Sequence, residues 1–378
     1  MTASFVRADF DHFQAMTRFD ALDGLRALSV IAVVWHHTSG TTGASFLTKG
    51  YLGVDFFFAI SGFLITTLLI REYQSTQRIS LRKFYARRAL RILPLYYATL
   101  LLYVLLVAAT RRDQPDGRQF FEHLPAFLTF TSNWFVDLAH ANSVTFYFAW
   151  SLATEEQFYL LWPPLLVGAL VLGRRRVWVP VTGLAVLVAI SQGFGHLSDA
   201  RALPGRIPAS LSLPILLASV AALTASTPRG FAALATVLGR VWSAPVTALA
   251  LIAAVALDAP QQATQCLMVM VVVSSCLVGR TSLHPLLRWR PLVFVGVISY
   301  GVYLLHMLCA NGVRRAAHLD HGPLLFAGTL CAVILAAYLS FRFFETPLLR
   351  LKRRFESGGQ RSGASPVSPT ATVQPVGR

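Results

Sequence analysis

In a chain of 378 residues, 55% are hydrophobic and only 13% are charged, about half the ~25% charge of an ordinary soluble domain. The net charge of +16 is dispersed among apolar runs instead of being gathered on one module, which argues against nucleic acid as a partner. It fits contact with anionic lipid head groups.

Taken in chain order, residues 1–21 are polar and lack an apolar signal-peptide core with a cleavage site, so the first apolar run is expected to insert as itself. About ten runs approach the ~20 residues that span a bilayer core. They are 22–39, 51–72, 90–109, 146–172, 176–191, 207–224, 241–258, 262–279, 292–312 and 323–345. The stretch 180–214 is interrupted by Pro180, Pro204, Pro208 and Pro214, which makes the fifth and sixth runs the least regular. Because backbone polar groups in lipid need internal partners, the expected fold is all-α, a polytopic transmembrane helical bundle of about ten spans. Most of the 33 Lys and Arg fall in segments that share one side if the N-terminus is cytoplasmic. The positive-inside rule then places both termini in the cytoplasm of a multi-pass cell-membrane protein. The chain divides into a cytoplasmic segment 1–21, a transmembrane domain 22–350 and a basic, then disordered tail 351–378 rich in Gly, Ser, Pro and Thr. Cys266, Cys276, Cys309 and Cys331 lie within apolar runs without a CxxC pair, so neither a disulfide framework nor a metal site is indicated.

Several runs carry polar residues that an anchor would omit. In "DGLRALSVIAVVWHH" (23–37), Arg26 and His37 are eleven residues apart, about 20° from eclipse on a helix and ~16 Å apart along its axis. Asp23 falls near the same stripe; His36 points elsewhere. Run two places Asp55 near one end and Ser61-Gly62 toward the middle, and run four enters through "WSLATEEQFYLLWPP" with Ser151, Glu155 and Glu156. Run nine brings Ser299 and His306 onto one face. His37, Asp55, Glu155 and His306 are thus expected to meet at one depth as an acid–base cluster. Arg26, Arg87, Arg88 and Arg91 form a guanidinium cluster at the other. Each piece has a plainer reading: Arg26 snorkels, the basic run 82–91 is positive-inside sequence, Thr154 and Gln157 frame a capping box, and His306 is a hydrogen-bonded core residue. Ionisable residues within spans are costly and face cavities or one another, which favours the joint arrangement.

These stretches, together with "GVDFFFAISGFLI", "RRALRILPLYY", "SYGVYLLHM" and the closing "FETPLLR", resemble the membrane-bound acyltransferase 3 family, in order, from about residue 18 to 350. The resemblance implies O-acyl transfer, commonly of acetyl from coenzyme A, to hydroxyls of surface glycans, exported polysaccharides or small products such as macrolide sugars. It maps the family's Arg–His pair onto Arg26 and His37 and its acidic motif onto Glu155, with Glu156 adjacent. The family's ninth-span motif often reads Trp-His; here it is Leu305-His306-Met307.

The residues fit that chemistry. An acyl-CoA, most simply acetyl-CoA, needs cations for its phosphates, and Arg provides a bidentate fork. A hydroxyl acceptor must lose its proton, which suits His37 as general base. Glu155 or Asp55 would orient the imidazole, with direct attack of the acceptor favoured over an acyl-histidine. A proton-coupled transporter is the rival from another class, since it too needs intramembrane His and Glu; coenzyme A binding separates the two.

Overall fold

The computed structural model describes residues 3–16, 18–40, 46–136, 145–173, 178–197, 207, 210–277 and 281–352. Among them every regular element is helical. The elements are α1 (Ala3–Ala15), α2 (Asp20–Thr38), α3 (Gly53–Thr76), α4 (Leu81–Thr110), α5 (Pro115–Leu128), α6 (Ser132–Phe135), α7 (Ala149–Leu172), α8 (Trp178–Leu197) and α9 (Leu213–Ala225). They continue with α10 (Pro228–Leu238), α11 (Ser243–Ala256), α12 (Gln261–Leu277), α13 (His284–Leu287), α14 (Arg290–Val297), α15 (Ser299–Ala317), α16 (Pro323–Ser340) and α17 (Thr346–Lys352). A π turn, Phe341–Glu345, joins the last two. The expected disordered tail lies outside the described residues, as do the basic residues at 174–176.

Fewer uninterrupted spans than the expected ten are seen among the described residues. Among the described residues three are long and apolar enough to cross a membrane alone: Gly50–Thr76, Leu81–Thr110 and Pro323–Leu351. Two helix pairs pass the same test together but are bent, α9 with α10 at 118° and α14 with α15 at 76°, giving up to five if each pair counts as one. The first break has a local cause: Thr227 precedes Pro228, which disfavours helical backbone there, and its hydroxyl accepts the Gly230 N–H at 3.1 Å to start a new helix. Helices α11 and α12, with 14 and 17 residues, are shorter than the ~20 needed to span alone.

The N-terminal segment is not a free tail. Phe13 on α1 is buried, its ring lies 5.6 Å from that of Phe231 on α10, and Arg71 of α3 donates to the carbonyls of Phe13 and Met16. The Arg71 guanidinium also sits 5.0 Å and 5.1 Å from the rings of Phe13 and Phe19, a cation–π clamp. Arg71 therefore holds the helix that leads into α2.

Helix α2 is the hub, packed by α3, α14, α15 and α16. Glycine makes these approaches close. A Cβ on Gly296 of α14 would fall 1.8 Å from the Asp23 carbonyl oxygen, and one on Gly62 of α3 would fall 2.2 Å from that of Ile215 on α9. Small residues where backbones meet are how helices associate in lipid. Gly296→Val must therefore push α14 off the first turns of α2, an overpacking that costs about 1–3 kcal/mol or more. The expected result is a Tm lowered by several degrees in detergent, together with weaker donor binding, because Asp23 and Arg26 sit on the displaced turns; an unchanged Tm would contradict this packing.

Candidate active site

One helix carries both ends of the site. Arg26 and His37 lie within α2, as their spacing requires. At the Arg26 end, Arg26 Nη1 is 2.8 Å from Asp23 Oδ1, and Arg18 Nη2 is 2.7 Å from Asp23 Oδ2. Asp23 is buried and thus spends both oxygens on guanidinium groups, fixing the Arg26 head. Arg26 then lines a cavity of about 80 Å³ together with Arg88 and Arg91 of α4, Glu155 and Glu156 of α7, and Ser61 of α3. Arg88 is stacked on the Tyr159 ring, 5.1 Å from its centroid. Both Ser61 and Tyr159 donate hydroxyl hydrogen bonds to Glu155.

The expected four-arginine cluster is thus three. Arg87 turns away: its Nη2 lies 3.4 Å from Glu72 Oε2, and Glu72 Oε1 accepts the Ser80 N–H at 3.0 Å. Successive residues on a helix point about 100° apart, and here Arg88 faces the cavity while Arg87 faces Glu72. Arg87 is a tie between α3 and the start of α4.

At the His37 end, two imidazoles meet. The rings of His37 and His306 are 4.9 Å apart. His37 Nδ1 donates to the Val33 carbonyl at 2.8 Å, which in the neutral ring leaves Nε2 as the acceptor of the Tyr147 hydroxyl at 2.9 Å. His306 is fully buried; its Nδ1 donates to the Tyr303 carbonyl at 2.5 Å, and its Nε2 has no hydrogen-bond partner among the described residues. A buried acceptor without a donor is costly, and it marks a place for a donor such as a hydroxyl. His36 does point elsewhere, donating through Nδ1 to the Thr48 carbonyl at 3.2 Å.

Glu155 and Asp55 do not join the histidines. Glu155 is committed to Ser61 and Tyr159 in the arginine cavity, and Asp55 accepts from Gln265 Nε2 of α12 at 3.1 Å. The single-depth acid–base cluster is therefore two groups. Val33 and Tyr147, rather than a carboxylate, orient the His37 ring. The capping-box reading also fails, because α7 starts at Ala149, and Gln157 exchanges amide hydrogen bonds of 2.9 Å with Asn133. What joins the two groups is Tyr303. It lines the arginine cavity, its hydroxyl is 2.5 Å from Ser151 Oγ, and its ring lies 5.6 Å from that of His306. Tyrosines 147, 159 and 303 were not singled out by sequence, where Tyr reads as an interface anchor; the signal for Tyr303 was its place three residues before His306.

Comparison with known proteins decides the family. A family model described as an acyltransferase domain, that of acyltransferase 3, matches residues 19–342. The chain belongs to the acyltransferase 3 family. Both ends of the site fall within the matched acyltransferase 3 domain. Among its relatives, the peptidoglycan O-acetyltransferase OatA of Listeria monocytogenes serovar 1/2a is 26% identical over 362 residues, covering 87% of this chain and 55% of that protein. The O-acetyltransferase OatA of Staphylococcus aureus (strain NCTC 8325 / PS 47) is 39% identical over 179 residues, covering 46% of this chain and 28% of that protein. This acyltransferase 3 chain thus spans between about a quarter and about half the length of these curated relatives. No solved structure matches the chain.

Proposed function

We propose that the chain is an integral cell-membrane O-acyltransferase with both termini in the cytoplasm, moving an acyl group, most simply acetyl, from cytosolic acyl-CoA to a hydroxyl of a cell-surface or exported glycan. The observation that carries this reading is the polar line through an otherwise apolar bundle, from the Arg26–Arg88–Arg91 cavity through Tyr303 to His306 and His37. Family membership and relatives named as O-acetyltransferases support the same reaction class.

In this account the three guanidinium groups take the donor's phosphates, which Arg matches in charge and geometry. At about 80 Å³ the cavity is well below the ~300–1,000 Å³ of a pocket that encloses a drug-sized ligand, so it takes part of the donor and the rest extends from it. His37 acts as general base. Its Nδ1–H is held by Val33, so the Nε2 lone pair is the one free to take a proton once the acceptor hydroxyl replaces Tyr147. That proton passes to Nε2 as the acceptor oxygen bonds to the thioester carbonyl carbon. The C–S bond breaks, and the imidazolium returns the proton to the leaving sulfur. His306 Nε2 accepts a hydrogen bond from a second hydroxyl of the acceptor or from water. Asp55 belongs to the α3–α12 contact.

The test is transfer itself. Purified protein in nanodiscs, given radiolabelled acetyl-CoA and an oligosaccharide acceptor, is expected to yield base-labile, ester-bound label on the sugar and free coenzyme A in equal amounts. Binding of acetyl-CoA with no turnover, or no binding at all, would overturn the reading. Tyr147→Phe should leave donor binding unchanged and alter turnover by no more than about tenfold, since the acceptor displaces this hydroxyl; a loss as large as that of His37→Ala would show that Tyr147 itself takes part in the chemistry.

A further inference from the structure

Helix α2 has a second lined face. Leu28, Ala32 and Trp35 lie roughly opposite the Arg26–His37 stripe, and with Phe56 of α3, Ile252 of α11 and Met268 of α12 they border a groove of about 730 Å³. Its side chains are apolar apart from Ser29 and Lys49, and Ser29 returns its hydroxyl to the Leu25 carbonyl at 2.7 Å. Nothing along the walls invites a polar ligand. From Leu25 to Trp35 the groove follows about 15 Å of helix, a length suited to a hydrocarbon chain.

The charge is at one end. Among the described lining residues Lys49 is the single charged one. It reaches across the groove to α11, where its Nζ donates to the Val255 carbonyl at 2.9 Å and pairs with Asp258. The Asp258 side chain is 55% exposed and that of Lys49 only 17%, so an incoming anion takes the place of Asp258 from the open side while Val255 keeps the ammonium in position. This end is also the His37 end of α2. Trp35 on the groove wall donates to the Leu47 carbonyl at 2.9 Å, His36 is bonded to Thr48 beside Lys49, and the His36 and His37 rings are 5.0 Å apart. Trp35 and His37 are two residues apart on α2, on opposite faces, so the groove's charged mouth and the general base share one end of the helix.

We propose that this groove seats the hydrocarbon chain of a phosphate-bearing lipid that carries the acceptor glycan, with Lys49 meeting the phosphate and the glycan reaching round the end of α2 to His37. The inference rests on the acyltransferase reading for the role of His37. A dry groove gives affinity through the buried chain. Lys49 fixes where the head group stops, so the acceptor hydroxyl arrives already oriented.

The experiment uses the full chain in phosphatidylcholine nanodiscs with a diazirine-bearing farnesyl phosphate as photo-crosslinker, and farnesyl phosphate or farnesol as competitors. Label is expected on peptides of α2, α11 and α12. Farnesyl phosphate should compete about tenfold better than farnesol, an advantage that Lys49→Gln abolishes. Ala248 and Ile252 both line the groove from α11; Ala248→Trp and Ile252→Trp, which fill it, should each reduce labelling about tenfold while acetyl-CoA hydrolysis stays at the wild-type rate. If farnesol competes as well as farnesyl phosphate, the groove holds bulk hydrocarbon only and the proposal fails. It fails equally if the tryptophan variants label normally. Should the wild type not consume acetyl-CoA, the acyltransferase reading falls, while the labelling pattern still judges the groove.

Discussion

His37→Ala is expected to lower turnover of acetyl-CoA with acceptor by about 10²–10⁴, the usual contribution of a general base, with donor affinity within twofold of wild type. The separation follows from the geometry. The His37 ring is tied to Val33 and Tyr147, and among the described residues it connects to the arginine cavity through His306 and Tyr303, so its removal leaves the phosphate site intact. Added imidazole should restore part of the rate, as a small base entering the vacated space. Steady-state rates and equilibrium binding on the same preparation check both statements. A variant that loses donor binding as well as turnover would place His37 in the donor site instead.

The second large effect is at the other end of α2. Arg88→Gln and Arg91→Gln are each expected to weaken acetyl-CoA binding by about 10–100-fold, in line with the ~1.5–3 kcal/mol of a hydrogen bond to a charged group. Arg26→Lys should lose nearly as much as Arg26→Ala, because an ammonium keeps the charge and forfeits the fork. Arg87→Gln gives the contrast. It leaves Glu72, whose side chain is only 10% exposed, without its partner, so the expected loss is in thermal stability and not in donor affinity. Isothermal titration with acetyl-CoA on the five variants distinguishes these outcomes. Equal affinity losses at Arg87 and Arg88 would contradict the assignment of one to the cavity and the other to the α3–α4 tie.

How much of this was legible in the sequence depends on whether a relation is local. The Arg26–His37 stripe is a property of eleven residues of one helix, so periodicity alone supplies it. The choice between Arg87 and Arg88 is different, because each is an arginine in a basic run and only the azimuth of α4, set by its packing on α5, α7, α15 and α17, decides which faces the cavity. Depth is harder again. Positions along α7 and α3 place Glu155 and Asp55 beside His37, but their side chains are engaged elsewhere. Glu155 reaches Ser61 and Tyr159, and Asp55 reaches Gln265, 210 residues away in sequence. The His37–Tyr147 hydrogen bond likewise closes over 110 residues, which no local pattern encodes. Helix content was readable from apolar runs; the bend at Ile298, which turns the expected span 292–312 into an angled pair, depends on what each half packs against, and the helix after Thr227 lies between two expected spans.

The central claim is that one stripe of α2 divides the labour, with donor capture at Arg26 and proton transfer at His37. The most direct measurement is paired: the Kd for acetyl-CoA and the single-turnover rate of acyl transfer, on wild type, Arg26→Ala and His37→Ala. The account predicts that Arg26→Ala raises Kd while the rate at saturating donor stays within about tenfold of wild type, and that His37→Ala keeps Kd and loses the rate. Both variants losing Kd and rate in the same proportion would contradict it.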